Sequence, residues 1–398
     1  MRPLVKRQYI LPFVLITSLF FLWGAAHSIL DVLNKHFQLV IPGMNHAHSS
    51  MVQVMFYLGY FVMAIPAGII IDRRGYRTGV IVGLLLYGLG ALLFWPGAQI
   101  MSFEFFLMSL FIIACGLVFL ETAANPYVTE LGDVETAASR LNLAQSLNGL
   151  GCICGPLFGG LLLFSDGGNE RIALPYVVMG IVVLAVALLF TRVKLPEIAH
   201  QDEHETKATA EKHRISSLFR NKGFLFGLFA LFSYEVSEIS INSFFINYVA
   251  DGGWMNARDA SIALSFGGLS LFMLGRVLGS FIMQHIDSER VLRVCAIGTF
   301  ITTLAVVLNM GVLSLGALVL IYVFESIMFP TIFALSLKDL GPLTKRASSL
   351  LMMTPIGGAV GPLMMGLVAD ASTMSVAFIV PLIGFAHVAA YAFSDKKV

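Results

Sequence analysis

The sequence predicts an all-α membrane protein: twelve transmembrane helices in two pseudo-symmetric six-helix bundles. Three observations predict it. The chain is 57% hydrophobic and only 12% charged, with mean hydropathy +0.84, whereas a soluble domain carries about 25% charged residues. Its apolar residues fall in separate runs of about 20, the length that a helix needs to span the hydrocarbon core. Strands of an outer-membrane barrel would instead alternate over about 10 residues. Finally, a landmark repeats. Glu121 is followed five residues later by Pro126, and Glu325 five residues later by Pro330, an offset of 204 residues for both pairs. A second pair agrees. Arg140 precedes Pro156 of Gly155-Pro156 by sixteen residues, and Arg346 precedes Pro362 of Gly361-Pro362 by sixteen.

The spans read in order as 10–34, 50–71, 79–98, 103–127, 139–164 and 174–193, then 224–249, 260–283, 291–312, 315–338, 346–369 and 375–393. The first apolar run continues into charge without a small-residue cleavage site, so it is read as span one. The longest polar gap follows span six. The expected domains are a first bundle at 1–194, a cytoplasmic linker at 195–222 and a second bundle at 223–398. Lys and Arg set the orientation. With the N-terminus inside, only Lys35, Arg171 and Arg258 of the 25 basic residues fall outside, and Arg276 lies within a span. The expectation is a bacterial inner membrane with both termini cytoplasmic. Cys115, Cys152, Cys154 and Cys295 all lie in expected spans, which argues against a disulfide framework.

The loop after span two runs Gly68-Ile-Ile-Ile-Asp72-Arg73-Arg74-Gly75-Tyr76-Arg77. It resembles the G-x-x-x-D-R-x-G-x-R loop of the major facilitator superfamily. Gly68 is expected to permit close helix approach. Asp72 is expected near a helix end, with Arg73 and Arg77 pairing with acids at neighbouring helix ends across an inner gate. The matching loop of the second half, Gly279 to Asp287, is degenerate. Gly149, Gly151, Gly155 and Gly159 in span five, and Gly357, Gly358, Gly361 and Gly366 in span eleven, read as packing and hinge elements.

Charges inside the spans carry the functional signal. They are Asp31, Glu121, Glu235, Glu238, Arg276 and Glu325. Each costs about 2.5–3.5 kcal/mol at a helix centre on the insertion scale. Five acids cannot all pair with one arginine, so some must be protonated, solvated in a polar cavity or bound to a cation. A carboxyl that changes protonation inside the membrane is what proton coupling requires. His27 lies four residues before Asp31, on the same helical face. Asn142, Gln145 and Asn148 follow at three-residue spacing and can share a face of span five. Asn125 and Asn242 add further amides. Such groups both donate and accept, which suits hydroxyl-rich ligands. Trp23, Phe56, Tyr57, Tyr60 and Phe329 can stack on the apolar face of a sugar, and His387 reads as a core histidine.

No phosphate-binding glycine loop, His-Glu-x-x-His helix or Gly-x-Ser-x-Gly elbow occurs. No cofactor, metal, nucleic-acid partner or enzymatic activity is expected. A membrane-embedded sensor or enzyme would need an output domain or a catalytic constellation, and the sequence offers neither.

Phe20-Phe-Leu-Trp-Gly24 leading to Asp31, Leu120-Glu-Thr-Ala-Ala-Asn-Pro-Tyr127, Arg140-Leu-Asn-Leu-Ala-Gln145 and Phe329-Pro-Thr-Ile-Phe333 resemble the bacterial L-fucose/proton symporter family. That family lies within the major facilitator superfamily and also contains glucose/galactose permeases. The resemblance covers essentially the whole chain. It implies two bundles around a central cavity and import of a monosaccharide, L-fucose or a related hexose, with protons. It implies proton coupling by Asp31 and Glu121 and sugar binding at Gln145. The fucose symporter has asparagines where this chain has His27 and Ser28. Glu238 falls where glucose/galactose relatives carry an acid and the fucose symporter an amide. Substrate-binding candidates are therefore Gln145, Asn142, Asn148, Ser28, His27, Glu238 and Asn242, with Glu235, Arg276 and Glu325 as further intramembrane charges. The expected partners are the sugar, protons and membrane lipid, for a monomer. A facilitator or a sodium-coupled carrier is the nearest alternative.

Overall fold

The computed structural model describes residues 5, 7–132, 137–165, 170–192, 215–283, 285–338, 340, 343, 347 and 350–394. These residues are helical throughout, apart from short turns. Eleven helices among them are long and apolar enough to cross a membrane. Span eleven is described as Thr354–Ile356 and Gly357–Ala371. Most of the expected linker and the side chain of Arg346 lie outside the described residues.

Polar caps start the spans where apolar runs begin. Ser102 accepts from the Phe105 amide at the start of span four, and Asn221 from the Phe224 amide at the start of span seven. Asn256 does the same for Asp259, and Thr373 for Val376. Each cap takes up an amide that the helix leaves without a partner. Spans two and three form one continuous run, Met51–Leu92, broken at Gly75, whose φ of 82° and ψ of 164° favour glycine.

Two compact units result. The first comprises Met1–Pro42, Met51–Ala199 and Met255–Ser265; the second comprises Gly43–Ser50, His200–Trp254 and Phe266–Val398. Each unit therefore includes a short segment from the other half of the chain.

Glycines set the closest crossings. In the first unit, a Cβ at Gly155 would lie 2.8 Å from the Ala25 carbonyl oxygen, bringing span five onto span one. In the second unit, a Cβ at Gly361 would overlap the Val236 carbonyl, bringing span eleven onto span seven. Both are the glycine of the repeated Gly-Pro pair. The repeat in sequence is thus a repeat in packing. Gly68 behaves differently from expectation, because a Cβ there would meet no atom within 4 Å. No neighbouring element of its unit approaches that face of the helix.

Candidate functional site

In the first unit the site is built on spans one, two, four and five. His27 Nε2 and the Tyr57 hydroxyl share a hydrogen bond. The imidazole meets the rings of Phe56, Tyr57 and Tyr60 edge-on, at centroid distances of 5.3, 5.4 and 6.2 Å. These rings follow at helical spacing on span two, so one face of that helix surrounds the histidine. The Tyr60 hydroxyl is buried, with Trp23 as its polar neighbour and Glu121 within electrostatic reach. One turn beyond Glu121, the buried Asn125 Oδ1 is without a partner. Unsatisfied buried polar atoms are rare in native proteins, and this one lies one helical turn from a carboxyl.

Asp31 occupies different surroundings. It is buried on span one, with Asn34, Lys35 and His36 buried on the turn that follows. Tyr176 of span six lies within its electrostatic reach and carries a buried hydroxyl without a partner. Tyr176 is held flat against Phe94, with ring centroids 3.7 Å apart and planes at 7°. The two carboxyls thus face different helices.

The span-five amides divide. The side chain of Asn142 lies outside the described residues, and Gln145 is half-buried. Asn148 donates its amide to the Phe20 carbonyl at 3.2 Å and accepts from Cys152 Sγ at 3.8 Å, tying span five to span one. Ser28 donates to the Gly24 carbonyl at 3.0 Å and fills the space beside Gly155.

In the second unit Glu235 is buried and Glu238 half-buried on span seven. Arg276 of span eight lies within electrostatic reach of Glu238, and its guanidinium carbon sits 4.7 Å from the Phe272 ring centroid. Its Nε donates to the Ser326 carbonyl at 3.2 Å. Glu325 is fully buried, and the Tyr234 hydroxyl donates to its backbone carbonyl at 3.1 Å. Asn242 Oδ1 is buried without a partner. His387 is satisfied by Ser233 at 2.7 Å and stacks on Phe226.

At the loop after span two, the side chain of Asp72 lies outside the described residues, and Arg73 is exposed. Arg77 was expected to meet an acid. It donates instead to the carbonyls of Phe190 and Thr191, at 3.3 and 2.6 Å. These are among the last carbonyls of span six, which have no helical donor and carry the negative end of the helix dipole.

Two tyrosines hold roles that residue type alone does not signal: Tyr57 reads as a stacking ring, and Tyr234 as one more apolar-span residue. Tyr234 lies four residues before Glu238, and that spacing was the available signal.

The family model described as Major Facilitator Superfamily matches residues 9–354. The chain belongs to that superfamily. Among relatives of this superfamily member, the L-fucose-proton symporter of Escherichia coli strain K12 is 36% identical over 411 residues, covering 97% of this chain and 93% of the relative. The glucose/galactose transporter of Brucella abortus (strain 9-941) is 33% identical over 403 residues, covering 98% and 96%. The crystal structure of the superfamily transporter FucP in the outward conformation aligns with a TM-score of 0.71 at 36% identity, covering 97% of this chain and 99% of that one. These relatives are transporters, and the twelve-span, multi-pass architecture of this chain is theirs.

Proposed function

We propose that this protein imports a monosaccharide together with protons by alternating access. The observation that carries the reading is the 36% identity, over 97% of the chain, to a protein named as an L-fucose-proton symporter. Acids at Asp31, buried, and Glu121, half-buried, support it, because ionisable groups inside spans mark proton pathways. In this reading Asp31 and Glu121 take up protons. The sugar engages Gln145 and Asn142, with Ser28 and His27 on the neighbouring helix. Asn148 sits one turn beyond Gln145, already anchored to span one. Glu238 and Asn242 are the polar substrate-binding candidates of the second unit.

His27 is where hexose choice enters. A histidine held by Tyr57 in a ring of aromatics presents an apolar surface for a sugar face and one fixed polar edge. The relatives named as glucose/galactose transporters make those hexoses, beside L-fucose, the substrates to try. The protein lies in the bacterial inner membrane as a monomer with both termini cytoplasmic. Bundles 1–194 and 223–398 are joined by the 195–222 linker.

The test follows external pH in lightly buffered liposomes as L-fucose, galactose, glucose, mannose, arabinose or N-acetylglucosamine is added. Alkalinisation outside with one sugar is the expected result and names the substrate. Counterflow of a labelled sugar without any pH change would favour a facilitator or a sodium-coupled carrier.

A further inference from the structure

Span ten breaks at the acid that repeats Glu121. One helix, Val312–Glu325, stops at Glu325, and a second, Met328–Leu337, begins just beyond. Pro330 has no N–H, so the Ser326 carbonyl lacks the donor that an unbroken helix would supply. Arg276 Nε fills that place, and the Tyr234 hydroxyl takes the Glu325 carbonyl. A Cβ at Gly275 would lie 2.6 Å from Ser326 Oγ, so span eight approaches the break closely. Non-helical backbone at membrane depth needs such partners.

The Glu325 side chain gains nothing from this arrangement. It is fully buried, and neither carboxyl oxygen has a hydrogen-bond partner. Burying an unpaired carboxylate is far less favourable than burying the neutral acid. Glu238 on span seven lies within electrostatic reach of it, and Tyr234, which bonds its backbone, is also within reach of Glu235 and of Arg276 on span eight. Span nine packs along Val312–Glu325 and carries Glu289, Arg290 and Arg293 in its first turns, then Cys295. Arg276 is therefore the cation held beside the break, and it is engaged with a carbonyl one residue from the acid.

We propose that Glu325 is a proton-binding site of the second unit, neutral in this arrangement and ionised when Arg276 turns from the Ser326 carbonyl to the Glu325 carboxylate. Protonation takes H+ from hydronium, forms one O–H bond on a carboxyl oxygen and leaves water. Release breaks that O–H bond and returns the proton to water. The site repeats Glu121 at an offset of 204 residues, so the second half also holds a proton-binding acid. That Glu325 contributes protons to the transport cycle rests on the symport reading; that it binds a proton does not.

Two measurements separate these statements. Infrared spectra of the purified full-length protein in lipid at neutral pH should show a protonated-carboxyl C=O band that Glu325→Gln lacks and Glu325→Asp shifts. Identical acid bands in wild type and Glu325→Gln overturn the binding site. The aspartate variant keeps the test open should the glutamine variant fail to fold, and an unshifted band there also overturns it. In liposomes, Glu325→Gln should keep sugar counterflow and lower the protons moved per sugar by about a third. An unchanged ratio overturns the contribution to the cycle while leaving the infrared result to decide binding. Should the wild type move no protons with any sugar, the symport reading fails, and the infrared band still tests the site.

Discussion

Arg276 donates its Nε hydrogen to the Ser326 carbonyl at 3.2 Å, the acceptor that Pro330 leaves without a helical donor. A side chain on one span thereby completes the backbone of another. The bond is charge-assisted and replaces a main-chain bond in a place where water cannot substitute.

Arg276→Gln should therefore destabilise the protein by about 1.5–3 kcal/mol, the range for a hydrogen bond to a charged group. Pro330→Ala returns an N–H to the helix and should shrink that cost. Thermal unfolding in detergent of the two single variants and the double variant gives the coupling. Strict additivity would refute the link.

Tyr57→Phe removes the partner of His27 Nε2 inside a ring of aromatics. A buried polar atom left alone costs about 1–3 kcal/mol, so the melting temperature should fall. Sugar binding, read by tryptophan fluorescence, should weaken too. A variant with both quantities unchanged would remove Tyr57 from the site.

Glycine substitutions should sort by the crossing they serve. A Cβ at Gly24 would overlap the Asn148 carbonyl, whereas one at Gly68 would meet nothing. Gly24→Ala should cost at least about 1–3 kcal/mol through forced backbone movement. Gly68→Ala should leave the melting temperature unaltered. Comparable losses for both would contradict the packing described.

Asp370 accepts from the amides of His46 and Ala47, at 2.8 and 2.9 Å, and from His46 Nδ1 at 2.8 Å. Beside the N-cap Asn45, it acts as a second cap of the short helix His46–Ser49 from 324 residues away in sequence. Asp370→Ala should cost about 0.5–2 kcal/mol, as loss of a cap does. It should also speed labelling of an Ala47→Cys reporter by a membrane-impermeant maleimide. Unchanged labelling would show that the segment is held by other means.

Much of this architecture was legible from residue order. Apolar runs located the spans, and paired Gly-Pro and Glu-Pro landmarks announced the repeat. The resemblance carried the family. What stayed hidden was how each landmark resolves. Glu121 and Pro126 lie within the continuous helix Phe103–Glu130, whereas Glu325 and Pro330 flank a break. The same spacing gives two outcomes because a proline in a membrane helix is settled by its neighbours, here Arg276 and Tyr234. Arg77 was equally unreadable: an arginine in a loop suits an acid or a helix end, and only tertiary placement chooses the carbonyls of Phe190 and Thr191. The bond between His27 and Tyr57 spans 30 residues and two helices, beyond the reach of any local pattern.

The short helix Ala257–Ala263 belongs to the first unit, where Ser261 seats against Gly160, although the chain reaches it only after span seven. A fragment cut at the polar stretch between spans six and seven would lack that cover and expose the Gly160 face to lipid or solvent. Each half of the chain supplies a short segment to the unit formed mainly by the other, so cutting between the halves parts each unit from a piece of its own packing.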